Sequence, residues 1–204
     1  MPSVVVIGAG PAGSTAALLL ARGGWTVTLV EQSRFPREKV CGECLSAVGV
    51  NVLARSGVLR KLLEAGAVPL RRAVLYSMDG AMLRVPLARG MLGVSRGLLD
   101  SVLLRFASDA GATILQPARC EQVWPCSRPR VRLRDLLTNR VSVLESDVVL
   151  LADGKSALIG SKPPATSDLG LKAHFVLDDR FHEPLPVKAR DVSRDLLRDA
   201  SPVE

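Results

Sequence analysis

The chain has 204 residues, of which 48% are hydrophobic and only 3% aromatic, with a formal net charge of +7 at pH 7. This length allows one sizeable domain, or one domain and part of another; the hydrophobic share excludes a disordered chain, and the shortage of aromatics leaves the core to Val, Leu, Ile and Ala, as in a buried parallel sheet flanked by helices. The positive charge does not mark a nucleic-acid surface, because the densest basic run (Arg128, Arg130, Arg132, Arg134) alternates with Val131 and Leu133 like a strand with one solvated face, and no aromatic side chains interleave for base stacking.

In chain order, Ser3–Ile7 is predicted to be a buried strand, Pro11–Arg22 a helix and Thr26–Glu31 a second strand, a βαβ start within about thirty residues. The apolar stretch from Val4 to Leu20 is broken by Gly8, Gly10, Pro11 and Gly13, too interrupted for a membrane span of about 20 apolar residues. There is neither a basic leader nor a small-residue cleavage site, so the expected location is cytoplasmic. A charged loop, Gln32–Glu43, precedes two short helices, Leu45–Arg55 and Val58–Glu64, with Gly57 and Gly66 near their ends. Arg71–Ser77 and Ala81–Val85 form a predicted hairpin around Met78-Asp79-Gly80, with Val74, Tyr76, Leu83 and Val85 as its apolar face.

Ser95 is a suitable N-cap for a helix to Ala110, whose residues Leu98, Leu99, Val102, Leu103, Phe106 and Ala110 follow helical spacing until Gly111. Ala112–Leu115 reads as a strand. The runs Arg119–Trp124, Arg130–Asp135 and Arg140–Glu145 then read as an antiparallel meander, turned by Thr138-Asn139. Asp147–Ala152 is a short, continuous apolar strand ending on Asp153-Gly154. Past Pro163-Pro164 the pattern fades into a charged tail.

Four cysteines in a chain of this size do not make a disulfide framework. Cys41-Gly-Glu-Cys44 has the spacing of a redox pair or of half a zinc site. Cys120 and Cys126 are too widely spaced to complete a zinc site, so no metal is expected.

Gly8-Ala9-Gly10-Pro11-Ala12-Gly13 fits G-x-G-x-x-G, directly after a strand and opening a helix. Gly8 allows a tight turn, Gly10 lets the backbone approach a pyrophosphate, and Gly13 lets the helix sit close to the strand. The helix start, with Pro11 and Ala12, offers N–H groups and a partial positive charge to phosphates. Glu31, 18 residues after Gly13, is placed to accept from ribose hydroxyls and to repel a 2′-phosphate. The alternative is a strand–turn–helix without a ligand, and the motif alone does not separate FAD from NAD.

Three further segments resemble FAD-dependent oxidoreductases of the glutathione-reductase-like fold, in the branch holding geranylgeranyl reductases, aromatic-ring monooxygenases and flavin-dependent halogenases. Pro36-Arg37-Glu38-Lys39-Val40-Cys41-Gly42 is similar to "PR-x-K-x-CG", Ser95-Arg96-Gly97-Leu98-Leu99-Asp100 to "SR-x-x-LD", and Ala152-Asp153-Gly154-Lys155-Ser156 to "ADG-x-x-S". The resemblance spans Met1 to about Phe175. It implies a Rossmann-like α/β FAD/NAD(P)-binding domain with a parallel sheet and an antiparallel meander (residues 1–69 and 95–165). It also implies the beginning of an antiparallel substrate sheet (70–94 and 166–177), followed by an irregular tail (178–204).

The same resemblance assigns Arg96 to FAD from the helix start, where a guanidinium fork suits phosphate or flavin oxygens. It sets Asp153 and Gly154 beside the cofactor, Lys39, Cys41 and Gly42 along the flavin, and the backbone of Cys120 at the adenine. Cys41 is thereby a small packed residue rather than half of a redox pair. FAD is the implied cofactor, NAD(P)H an implied electron donor, and the implied substrate a small apolar or aromatic molecule. Family members carry a further Gly-Asp motif late in the FAD domain, absent here. From about Val176 the chain reads as unrelated sequence, as a truncated gene or shifted frame would leave it. A dinucleotide-binding module without turnover and an inactive fragment therefore stand beside the oxidoreductase, and the lone chain is expected to be a poor catalyst that aggregates through its open hairpin edge.

Overall fold

The computed structural model describes residues 1–154 together with Lys172 and Ala173. Its elements are β1 (Ser3–Ile7), α1 (Pro11–Arg22), β2 (Thr26–Val30), β3 (Cys44–Leu45), α2 (Ala47–Arg55), α3 (Leu59–Glu64), β4 (Val68–Tyr76), β5 (Met82–Gly93), α4 (Arg96–Asp109), β6 (Thr113–Leu115), β7 (Ala118–Trp124), β8 (Arg130–Asp135), β9 (Val141–Glu145) and β10 (Val148–Leu151). They fall into two compact units. The first holds Met1–Glu38 and, among the described residues, 97–154; the second holds Lys39–Arg96 with Lys172 and Ala173.

In the first unit a parallel sheet runs in the order β10-β1-β2-β6. Residues Val4 to Ile7 of β1 are 0–4% exposed, which is why β1 is continuously apolar rather than alternating: it is covered on both faces. β10 pairs in parallel with β1 (Val4↔Val148 to Ile7↔Leu151), 144 residues away in sequence, and the link is fastened by Asp147, whose carboxylate accepts from the Ser3 N–H at 2.7 Å and the Ser3 hydroxyl at 2.8 Å. α1 starts with Pro11 in its first turn and ends at Gly23-Gly24, where Gly24 takes φ +81. α4 buries Leu99, Leu103, Leu104 and Ala107 on one side, each Leu contributing about 1.5–3 kcal/mol of burial.

The antiparallel meander β7-β8-β9 closes this unit. Val131 and Leu133 of β8 are 0% and 2% exposed, and they join Val5, Ile7, Val30, Ala118 and Cys120 in one core cluster. On the other face of β8, Arg132 and Arg134 pair with Glu121 at 3.1 and 2.5 Å. The basic run is thus a solvated face with its own counter-ion. Asn139, at φ +59, makes the expected turn.

The second unit carries α2, α3 and an antiparallel sheet ordered β3-β5-β4. Ser46, rather than a residue before Leu45, caps α2 by accepting the Gly49 N–H. The residues before it pair instead as β3, Cys44 with Gly93 and Leu45 with Leu92. The two hairpin strands are longer than their apolar runs suggest. Pro69 lies on the edge strand β4, and Pro86 lies in β5 at a point that β3 does not cover, so neither proline interrupts a two-sided ladder. The register also corrects the expected apolar face. Leu75 faces Leu83 and Ala73 faces Val85, whereas Val74 and Tyr76 sit opposite Arg84 and Met82 on the other side. Grouping by hydrophobicity across a turn missed the alternation that the Ser77–Ala81 pair at the turn imposes.

No helix among the described residues is long and apolar enough to cross a membrane. The last part of the expected cofactor domain (155–165), the expected substrate-sheet segment 166–177 and the tail from 178 lie outside the described residues, apart from Lys172 and Ala173.

Candidate functional site

Where β1 ends, Gly8 turns the chain at φ +99, and its N–H donates to the Val30 carbonyl at 2.8 Å. A Cβ on Gly8 would lie 2.6 Å from the Ala152 carbonyl oxygen and 3.0 Å from Asp153 Cα, so this turn passes directly against the end of β10. A Cβ on Gly13 would lie 1.9 Å from the Gly8 carbonyl oxygen. These two glycines therefore answer to backbone contacts: α1 is seated on the loop that precedes it. Gly10 is the N-cap of α1, extended at φ −69 and ψ −177, without a side-chain cap. Pro11 has no N–H, and the N–H groups of Ala12 and Gly13 have no acceptor among the described residues. They leave the positive end of α1 ready for an anionic group.

Glu31 follows β2 and is 3% exposed. Its Oε2 accepts the Ala9 N–H at 2.9 Å, so the acid is tied into the glycine loop itself. Its Oε1 accepts the Ser33 N–H at 2.8 Å and approaches Arg37 Nη1 at 3.4 Å. Arg37 reaches on to Asp100 of α4, with Nη2 3.7 Å from Oδ2 of a side chain that is fully buried. Its guanidinium lies 5.0 Å from the Phe35 ring, a cation–π distance. Arg37 Nε is buried and has no acceptor among the described residues. On α4, Gly97 lets Glu38 pass, because a Cβ there would lie 2.9 Å from Glu38 Oε1.

The sequence reading gave no role to Arg37, Gly97 or Asp100, although all three stand in the segments that carried the resemblance. The available signal was charge: each segment held an ionisable residue of opposite sign without a task.

Of the other expected residues, Asp153 and Gly154 follow β10 at the Gly8 turn, Gly154 at φ +73. Cys120 is 7% exposed within the core cluster, and burial pushes its thiol pKa up, so its side chain is packing. In the second unit Lys39 and Gly42 are exposed, and Cys41 is half-buried with its sulfur accepting the Glu43 N–H at 3.4 Å. Glu43, at φ +52, binds Lys172 Nζ at 2.6 Å. Arg96 is half-buried at the first position of α4. All four cysteines are free thiols.

The set of groups in the first unit fits a dinucleotide: N–H donors at a helix start for phosphates and a buried carboxylate for a hydroxyl. Residues 1–162 match the family described as FAD binding domain. The chain is 51% identical over 162 residues to menaquinone reductase of Mycolicibacterium smegmatis, covering 77% of this chain and 38% of that protein. It is 32% identical over 162 residues to geranylgeranyl diphosphate reductase of Rhodobacter capsulatus, covering 79% and 39%. Among solved structures it resembles a flavin-dependent halogenase at 29% identity and TM-score 0.68, covering 76% of this chain and 30% of the other. The chain therefore spans well under half the length of these relatives.

Proposed function

Because the chain belongs to the FAD binding domain family, we propose that it is the FAD-holding part of a flavin-dependent reductase whose substrate carries an apolar isoprenoid chain. The observation that carries this reading is the 51% identity to menaquinone reductase, against 32% to geranylgeranyl diphosphate reductase; both relatives are named for reduction of molecules with such chains. FAD, when bound, would supply the electron chemistry of such a reduction, with NAD(P)H as its donor.

The chain's own contribution is binding and orientation. Gly8, Gly10, Pro11, Ala12 and Gly13 receive the pyrophosphate, Glu31 accepts from a ribose hydroxyl, and Asp153 and Gly154 border the same turn. Arg96, Lys39, Cys41 and Gly42 serve the flavin end, and the backbone at Cys120 the adenine. Residues 1–69 and the described part of 95–165 act as the cofactor domain, and 70–94 as part of the substrate sheet, in a cytoplasmic protein. Supporting the pyrophosphate assignment are the unmet N–H groups of Ala12 and Gly13; supporting the ribose assignment is the tie between Glu31 and the loop at Ala9.

Two measurements test this. Titration of the purified protein with FAD, followed by quenching of flavin fluorescence, is expected to saturate; no binding overturns the cofactor assignment. Deletion of the gene in its own host is expected to leave the menaquinone pool more unsaturated, its mass lower by two hydrogens for each bond no longer reduced. An unchanged quinone pool overturns the substrate assignment and leaves FAD binding standing.

A further inference from the structure

The geometry points to Arg37 as a positioning residue that fixes how Glu31 is presented to a ribose. This inference rests on the proposal that Glu31 meets that sugar. A carboxylate offers about four lone-pair sites. Three of them on Glu31 are taken: one on Oε2 by the Ala9 N–H at 2.9 Å, and both on Oε1 by the Ser33 N–H at 2.8 Å and Arg37 Nη1 at 3.4 Å. The remaining site is on Oε2, the oxygen bonded to the glycine loop. Arg37 thus decides which oxygen is left to a ligand, and only one ribose hydroxyl is received by Glu31.

The electrostatics require the same residue. Glu31 and Asp100 are 3% and 0% exposed, and the Arg37 guanidinium stands between them at 3.4 and 3.7 Å. Without it, the buried Glu31 carboxylate would lose the cation beside it, and Oε1 would be freed to turn away from its present setting. Such a turn removes the fixed acceptor that a ribose hydroxyl needs. Asp100 in turn belongs to α4, so it anchors Arg37 from an element that does not itself carry Glu31. Phe35 stacks beside the guanidinium at 5.0 Å and limits its swing.

The test uses ADP and 2′,3′-dideoxy-ADP, which share the adenine and pyrophosphate, lack the flavin and differ only in the two sugar hydroxyls, titrated calorimetrically into the full chain. The wild-type protein is expected to prefer ADP by roughly tenfold or more, the worth of one hydrogen bond to a charged group. Arg37→Met is expected to bring that preference close to one while leaving the affinity for dideoxy-ADP nearly unchanged; Arg37→Lys, which keeps the cation, should recover part of it. Loss of affinity for both nucleotides in equal proportion would mark a merely structural role and overturn the inference, as would a retained preference. Should Arg37→Met fail to fold, Asp100→Asn takes its place. It removes one of the two carboxylates, and a preference between those of wild type and unity is expected; an undiminished preference overturns the inference. A wild-type protein that binds both nucleotides equally removes Glu31 from the ribose, and this inference with it, but leaves dinucleotide binding intact. A wild-type protein that binds neither overturns both.

Discussion

Gly8→Ala introduces two penalties that Gly24→Ala and Gly13→Ala impose one at a time. Gly24 has φ +81 and open space around its Cβ position, so its replacement meets only the backbone penalty. That amounts to about 1–2 kcal/mol for an L-residue with positive φ, reduced by about 0.4–1 kcal/mol because the unfolded chain loses freedom. Gly13 has no such φ but would place Cβ 1.9 Å from the Gly8 carbonyl oxygen. Backbone cannot yield as a side chain does, so α1 must retreat by about an ångström, with an overpacking cost of about 1–3 kcal/mol or more. Gly8 combines φ +99 with a Cβ 2.6 Å from the Ala152 oxygen, and the net loss is about 2–4 kcal/mol once the unfolded-state gain is deducted. With a urea m-value of about 1–3 kcal/mol per molar, the midpoint should fall by roughly 1 M or more. Urea unfolding followed by circular dichroism reads all three variants without any ligand. If Gly8→Ala shifts the midpoint no further than Gly24→Ala, the close approach of the Gly8 turn to the end of β10 contributes nothing and the packing argument fails.

Three other outcomes are expected. Glu31→Ala should weaken FAD binding by about 1.5–3 kcal/mol, and an unchanged dissociation constant in a fluorescence titration would show that Glu31 does not meet the ribose. Asp147 is held below the usual carboxylate pKa by the Ser3 hydroxyl and amide, Glu121 by its bond to Arg134, and Asp135 by the Thr138 and Leu137 amides. Depressed carboxylates stabilise the fold above their unfolded pKa of about 4 and lose that contribution as pH falls through the folded values. Tm should therefore be level from pH 7 to about 5 and decline below about 4, less steeply in Asp147→Asn; equal acid sensitivity in that variant would remove Asp147 from the account. Finally, Cys41→Ser with Cys44→Ser should retain the parent's flavin content, and a stoichiometric disulfide that cycles with reductant would contradict this.

The first forty residues were legible because local rules suffice there. An unbroken apolar strand, a glycine loop and an Ala/Leu helix each admit one reading, and Ser3–Ile7 and Pro11–Arg22 form where the sequence puts them. The meander was legible through the alternation of Arg with Val131 and Leu133. The hairpin was less so. Its strand ends depend on pairing of Val68 with Gly93 and Pro69 with Leu92, contacts that no local propensity encodes. The two-residue strand β3 exists only because Gly93 and Leu92 are there to pair with it. At the candidate site, Glu31 was visible from spacing, but its neighbour Asp100 lies on another helix far along the chain, so the Arg37 cluster could be recognised only once β2 and α4 were in place.

The pairing of β1 with β10 also sets a timetable. Ser3 and its partner Asp147 are 144 residues apart, and a ribosome adding about 5–20 residues per second needs roughly 7–29 s to cover that distance. Throughout that interval one side of Val4-Val5-Val6-Ile7 has no strand to receive it, although the glycine turn and α1 behind it are already made. A short, uncharged, strongly apolar segment waiting with unpaired backbone groups is what promotes association between nascent chains. Expression at a lower temperature lengthens the wait but slows the rival encounters too, whereas spacing ribosomes further apart on the message reduces only the encounters. Yield should therefore respond more to initiation rate than to the speed of elongation.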